Sequence, residues 1–196
     1  MSAPRPRIVL VRHGETEWSR EGRHTGRTDV PLEPLGRAQA EAVGEDLAGM
    51  AFGLVLTSPS RRAVETCRLA GFGDRAVRTG DLLEWDYGDD EGRTTSEIRE
   101  GRPGWSLWAD GVPNGETADE VGRRADRVVQ WARSAPGDTL CFAHGHVLRV
   151  LAARWLGLPA SGGRLLVLGA GSRGMLGWER DTPVIERWNE PARVAP

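Results

Sequence analysis

An arginine and a histidine at the end of a short apolar run are the residues of this chain best suited to chemistry. Arg12 and His13 follow the run 8–11 and precede Gly14. A planar guanidinium can donate two parallel hydrogen bonds to phosphoryl oxygens, and a neutral imidazole nitrogen can attack phosphorus. The pair therefore predicts an anion site with its own nucleophile. A strand end with two solvated polar residues explains these three positions about as well, so other segments must decide.

A second histidine stands in the same position relative to its neighbours. His144 follows the apolar run 139–142 and precedes a helical pattern over 147–156. The carboxyl ends of parallel strands meet at one edge of a sheet, where open α/β sheets bind their ligands. We therefore expect His144 to lie near His13.

A third apolar run, 54–57, leads to an arginine. The pattern predicts Ser58 as the N-cap of a helix, with Pro59 as its first residue and Arg62 in its first turn. Three strand ends then bring together four side chains that can contact one anion: Arg12, His13, Arg62 and His144.

Taken in order, these segments resemble the motifs of a known family. They are Arg12 to Thr16, Ser58-Pro59 with Arg62, Glu84 with Gly88, and His144-Gly145. They are similar to the histidine phosphatase superfamily, branch 1, whose fold is phosphoglycerate-mutase-like. The resemblance spans nearly the whole chain, and its loop motifs look like those of sedoheptulose bisphosphatase and small actinobacterial acid phosphatases.

The resemblance implies a metal-independent phosphomonoesterase that forms a phosphohistidine. His13 would attack phosphorus, with a backbone carbonyl holding its other ring nitrogen, and Arg12, Arg62 and His144 would be the cations around the phosphoryl oxygens. Glu84 would protonate the leaving oxygen and later accept a proton from water. The implied substrate contacts are Thr16, Ser19, Arg23, Thr25, Gly26 and Gly145. No cofactor is expected, and the substrate is a small phosphate ester such as a sugar phosphate or bisphosphate.

Two other functions stay open. A cofactor-dependent phosphoglycerate mutase must keep water from the phosphohistidine, which favours a longer lid than the stretch after Glu84 provides. Ser19 also stands where such mutases have an asparagine, so hydrolysis is favoured. The third function, a catalytically silent phospho-ligand binder, is disfavoured by the intact set of site residues. A metal site at His144 and His146 is disfavoured because neither cysteine has ligand spacing.

Composition limits the classes of function. The chain has 196 residues, of which 39% are apolar, and a formal net charge of -2. We expect one domain over 1–196, no role in binding nucleic acid, and no membrane segment, because each apolar run is only a strand long. These features favour a cytoplasmic protein, and a homodimer is compatible with them. All basic residues are arginines, which excludes a catalytic lysine.

Alternating patterns predict the elements that position the site. Strands are expected near 7–12, 54–58, 77–79, 138–143, 165–168, 174–179 and 184–189, with helices between them. One helix should open at Pro34, and another at the capping box from Thr117 to Glu120. This order predicts an α/β fold, a three-layer α/β/α sandwich with a mainly parallel sheet and an antiparallel edge. Polar loops at 16–32 and 86–116 should cover the site.

Overall fold

A six-stranded mixed sheet forms the centre of the molecule in the computed structural model, which describes residues 5–194. The strands are β1 (Ile8–Arg12), β2 (Leu54–Thr57), β3 (Val77–Arg78), β4 (Thr139–Ala143), β5 (Ser172–Glu179) and β6 (Thr182–Pro191). Their order across the sheet is β3-β2-β4-β1-β5-β6. The first four strands are mutually parallel, whereas β5 is antiparallel to both β1 and β6.

Within residues 5–194, seven α-helices connect or flank these strands. They are α1 (Glu17–Arg20), α2 (Pro34–Asp46), α3 (Arg61–Leu69), α4 (Thr95–Gly101), α5 (Leu107–Asp110), α6 (Ala118–Ser134) and α7 (Gly145–Trp155). Short 3₁₀ helices span Gly73–Arg75, Gly80–Leu82, Gly88–Asp90 and Ala160–Leu165. The predicted capping box is confirmed, because Thr117 and Glu120 each accept a backbone N–H from the other residue. In the range 5–194, no helix is both long and apolar enough to cross a membrane.

The alternation of side chains along β1 divides the core into two layers. Ile8 and Leu10 are buried with side chains from α6 and α7, whereas Val9 and Val11 are buried with side chains from α2 and α3. Helices therefore cover both faces of the sheet, and the predicted three-layer α/β/α sandwich is confirmed. Both cysteine thiols are buried and free, and burial raises the pKa of each to about 12.

The loop after β1 lies directly against the first turn of α2. A Cβ atom on Gly14 would lie 2.0 Å from the carbonyl oxygen of Gly36, and one on Gly36 would lie 2.1 Å from that of Glu15. Only a pair of glycines allows the two backbones to approach this closely. The backbone of the residue next to His13 is thus fixed by contact with α2.

Two local predictions were wrong. The expected strand at 165–168 is absent, since Leu165 ends a 3₁₀ helix and no neighbouring strand pairs with this segment. The alternation is real, because Leu165 and Val167 are 71% and 67% exposed while Leu168 is buried, but alternation alone does not supply a pairing partner. The helix after β2 begins at Arg61 with Ser60 as its N-cap, not at Pro59. Ser58 instead contacts a histidine of the site, as described next.

Candidate active site

A cavity of about 320 Å³ lies at the carboxyl ends of β1 and β4. Arg12 and His13 reach it from the end of β1, Gly145 from the start of α7, and Glu84 from the segment between β3 and α4. Of the predicted site residues, those that line the cavity are Arg12, His13, Ser19, Arg23, Thr25, Glu84 and Gly145. Residues from separate parts of the chain therefore converge where the sequence predicted.

His13 is held with one ring nitrogen free. Its Nδ1 lies 2.8 Å from the carbonyl oxygen of Gly14, and a carbonyl can only accept, so Nδ1 carries the proton. The lone pair is then on Nε2. Burial lowers the pKa of His13 well below its ordinary value, and the charges of Arg62 and Arg12 lower it further. The free site thus holds a neutral imidazole with the tautomer that a nucleophile needs.

We predict that kcat/KM keeps its value as the pH falls through 6.5. An imidazole is protonated only when the pH drops below its own pKa, and the pKa of His13 is lowered, so the nucleophile stays neutral in that range. The measurement is a pH profile of kcat/KM with two aryl phosphates whose second ionisations differ. A decrease of kcat/KM below about pH 6.5 that has the same midpoint with both substrates would contradict the prediction, because it would report the titration of an enzyme group.

Arg12 carries a buried donor without a protein partner. Its Nη1 donates to the carbonyl oxygen of Leu168 at 2.6 Å. In the part of the chain that the structure describes, its Nε has no acceptor. A buried unpaired donor costs roughly 1–3 kcal/mol, which an anion in the cavity would recover. Gly145 leaves the space for this guanidinium, because a Cβ there would lie 3.3 Å from Arg12 Cζ.

The carboxylate of Glu84 is bound by the N-terminal turn of α7. Oε2 accepts the backbone N–H of His146 at 2.9 Å, while Oε1 accepts those of Val147 and Trp85, each at 2.9 Å. The helix N-terminus favours a negative charge at this point. Three donors therefore fix the position of this carboxyl group beside Arg12 and His13.

Arg62 and His144 lie behind the cavity wall and do not line it. Arg62 Nε donates to His144 Nδ1 at 3.1 Å, and its other nitrogens donate to the carbonyls of Thr25, Gly26 and Thr28. A phosphoryl contact by Arg62 stays a prediction, and it would compete with these carbonyls. The rings of His13 and His144 pack edge to face, with centroids 5.2 Å apart.

His144 is neutral in the free site, and its role as a cation around a bound phosphoryl group stays a prediction. Its Nδ1 accepts from Arg62, so Nε2 carries the proton and lies 2.8 Å from the hydroxyl oxygen of Ser58. Burial lowers the pKa of His144 well below its ordinary value, as does the charge of Arg62. His144 is therefore a neutral donor, and only an anion in the cavity would favour its protonation.

The remaining predicted contacts divide into two groups. Ser19, Arg23 and Thr25 line the cavity, as the loop prediction for 16–32 required. Thr16 and Gly26 do not line it. The Thr16 hydroxyl caps α1 by accepting the backbone N–H of Ser19 at 3.2 Å, and Gly26 donates its own N–H to the carboxylate of Glu91.

Sequence reasoning missed part of the cavity wall. His24 and His146 also line the cavity, as do Tyr87 and Arg149, which were not predicted. The hydroxyl oxygen of Tyr87 lies 2.6 Å from His146 Nδ1, and Arg149 stacks on Trp108 with its Cζ 4.7 Å from the ring centroid. A helical step of four from Gly145 to Arg149 was the available signal, because both project from the first turns of α7.

A larger concavity, of about 840 Å³, lies at the opposite ends of the strands. Two of its three arginines face carboxylates: Arg7 pairs with Asp138 at 2.6 Å, and Arg5 pairs with Asp181 at 2.5 Å. The third, Arg180, is exposed, and among the described residues no histidine lines this concavity, so it lacks the nucleophile of the first cavity. Across residues 5–194, no three His, Cys, Asp or Glu side chains are grouped as metal ligands.

Comparison with known proteins agrees with this geometry. Residues 8–191 match the family model of the histidine phosphatase superfamily, branch 1. The chain is 43% identical over 196 residues to an acid phosphatase of Mycobacterium tuberculosis, with 96% of each protein covered. It is 38% identical to sedoheptulose 1,7-bisphosphatase of Saccharomyces cerevisiae, over 78% of this chain and 68% of that one. A mycobacterial glucosyl-3-phosphoglycerate phosphatase solved with VO3 superposes with a TM-score of 0.83 at 30% identity, over 94% of this chain and 99% of that one.

Proposed function

This chain belongs to the histidine phosphatase superfamily, branch 1, and from that premise we propose that it hydrolyses small phosphate monoesters through a phosphohistidine. One observation carries the proposal. The free Nε2 of His13 shares a cavity with the unpaired Nε of Arg12 and with the carboxyl group of Glu84. A nucleophile, a cation for the phosphoryl oxygens and an acid for the leaving group are the parts that phosphoryl transfer requires.

The reaction has two steps that balance. The substrate monoanion brings one proton, which passes to the Glu84 carboxylate. In the first step, His13 Nε2 forms a bond to phosphorus, the ester P–O bond breaks, and Glu84 gives that proton to the leaving oxygen. In the second, water attacks phosphorus, Glu84 takes the proton of that water, and the P–N bond breaks. The products are an alcohol and a phosphate monoanion, which removes the proton from Glu84, so both His13 and Glu84 return to their starting states.

The direct test is turnover of an aryl phosphate in the presence of a chelator. We expect hydrolysis to continue in chelator and to be inhibited by vanadate, which resembles the transferring phosphoryl group. Phosphoglycerate mutase activity, the alternative, would instead require a bisphosphorylated primer and release little phosphate. Loss of activity in chelator, or dependence on such a primer, would contradict the proposed reaction.

The charges on the outer cavity wall favour a substrate with a second anionic group. Arg23, one of the expected substrate contacts, already pairs with Glu21 at 2.7 Å. Arg149 has no ion pair with any residue from 5 to 194, and it donates only to backbone carbonyls such as that of Gly163 at 3.0 Å. Its uncompensated charge suits a second phosphate or a carboxylate, as in a sugar bisphosphate.

We therefore predict that Arg149→Met raises KM for a sugar bisphosphate and leaves KM for a simple aryl phosphate nearly unchanged. Loss of a charge-assisted hydrogen bond worth roughly 1.5–3 kcal/mol corresponds to an increase of about tenfold or more. Steady-state kinetics with both substrates measure the effect. The control is Arg164→Met, which removes a nearby exposed arginine side chain. An equal change of KM for the two substrates would rule out this assignment.

A further inference from the structure

A buried arginine outside the cavity contacts the segment that bears Glu84. Arg124 lies on α6, and its side chain is only 8% exposed. Its Nη1 donates to the carbonyl oxygens of Asp81 and Leu83, and its Nη2 donates to that of Glu84 at 3.1 Å. One guanidinium therefore binds three backbone carbonyls within four consecutive residues.

This segment has few other backbone hydrogen bonds. Residues 83–87 lie between two 3₁₀ helices and belong to no strand or helix. Over the described range of the chain, no group other than Arg124 donates to the carbonyls of Leu83 and Glu84. Buried carbonyls need a donor, and here a side chain supplies it in place of a neighbouring strand.

A carboxylate fixes the orientation of this guanidinium. Glu116 accepts from Arg124 Nε and Nη2, each at 2.9 Å, in a bidentate pair. The same residue accepts the backbone N–H of Asp86 at 2.9 Å and the indole N–H of Trp85 at 2.7 Å. Glu116 thus lies outside the cavity lining and binds both Arg124 and the residues that follow Glu84.

Glu84 is consequently held from two sides. The N-terminus of α7 binds its carboxylate, and Arg124 of α6 binds its backbone. Proton transfer to a leaving oxygen requires hydrogen-bond reach, and a misplacement of about 1 Å can cost roughly 10²-fold in rate. We infer that Arg124, oriented by Glu116, is a positioning residue that places the Glu84 carboxyl for proton transfer. This inference rests on the proposed acid role of Glu84.

The leaving group provides a readout that a purely structural role would not change. An alkyl phosphate needs a proton on its departing oxygen, whereas 2,4-dinitrophenyl phosphate leaves as a stable anion and needs none. We expect Arg124→Met to lower kcat/KM for the alkyl phosphate by about tenfold to 10²-fold. The same variant should lower kcat/KM for the dinitrophenyl ester by less than about threefold, because misplacement of the acid then matters little.

Three companion variants separate the possible outcomes. Glu84→Gln must show the same selectivity between leaving groups in a larger degree, and its failure to do so would overturn the acid assignment itself. In a Glu84→Gln background, Arg124→Met should add almost nothing for the alkyl ester. Arg154→Met breaks the ion pair with Asp126 between α6 and α7, at 2.7 Å, without contacting the Glu84 segment, and should not discriminate between esters.

A variant that retains the guanidinium covers the case in which Arg124→Met does not fold. Glu116→Gln leaves Arg124 bound to the carbonyls but weakens its orientation, so a smaller loss with the same selectivity is expected. The inference is overturned if Glu84→Gln is selective between leaving groups while Arg124→Met and Glu116→Gln reduce both esters equally. In that outcome the proposed phosphatase reaction still stands, and only the positioning role is lost.

Discussion

Replacing His13 by alanine is expected to lower kcat by about 10³-fold or more, because it removes the nucleophile itself. The neighbouring ring, His144, has its Nδ1 occupied by Arg62 and its Nε2 beside Ser58. Neither nitrogen therefore presents a free lone pair to the cavity.

Two measurements check this expectation. Steady-state kinetics with an aryl phosphate give the loss of turnover. The phosphoenzyme is detected by mixing the protein with a substrate labelled on its phosphate and stopping the reaction rapidly without acid, because acid hydrolyses phosphohistidine. The unaltered protein should become labelled, and His13→Ala should not. Full activity of His13→Ala, or a label retained elsewhere on the chain, would refute the phosphohistidine mechanism. In this variant the carbonyl oxygen of Gly14 would lose the N–H that it accepts from His13 Nδ1.

The second large effect is expected for Arg12→Lys. This substitution keeps the positive charge but removes the planar guanidinium, which can donate two parallel hydrogen bonds. Arg12 Nη1 is bound to the carbonyl oxygen of Leu168, while Nε remains for an anion. A lysine has one nitrogen and cannot serve both partners in that geometry. We expect a loss of about 10²-fold to 10³-fold in kcat, as for removal of a group that stabilises charge in the transition state.

The matched control lies just before the other end of the same strand. Arg7 precedes β1 and pairs with Asp138 at 2.6 Å, far from the cavity, so Arg7→Lys should leave the kinetics nearly unaltered. Comparison of kcat and KM for the two variants separates the effect of losing the Arg12 guanidinium in the cavity from the effect of replacing any arginine by lysine. A fully active Arg12→Lys enzyme would show that bidentate contact is irrelevant to this reaction.

The sequence predicts those parts of the site that local patterns determine. Arg12 and His144 each follow a short apolar run, so strand propensity and the parallel sheet are enough to bring them to one edge. Glu84 has no such local signal within its acidic loop, and only family resemblance distinguishes it from the neighbouring carboxylates. Its position becomes clear in the structure, where the N-terminus of α7 binds it.

The rest depends on tertiary contacts that a linear pattern does not contain. Arg124 lies on the apolar face of α6, three residues after Val121. A charged residue at an apolar position was the local sign in the sequence that Arg124 has a buried partner, here the Glu84 segment. The protonation state of His144 depends on Arg62, which is 82 positions away. The segment 165–168 alternates like a strand, and only the absence of a neighbouring strand decides against it.

The contact between Gly14 and Gly36 makes an outer helix part of the mechanism. Because the two backbones touch without intervening side chains, any tilt of α2 displaces the carbonyl that sets the imidazole tautomer. The orientation of the His13 ring therefore depends on the position of α2, none of whose residues lines the cavity. Any redesign of this protein therefore has to preserve the position of α2 and its backbone contact with Gly14.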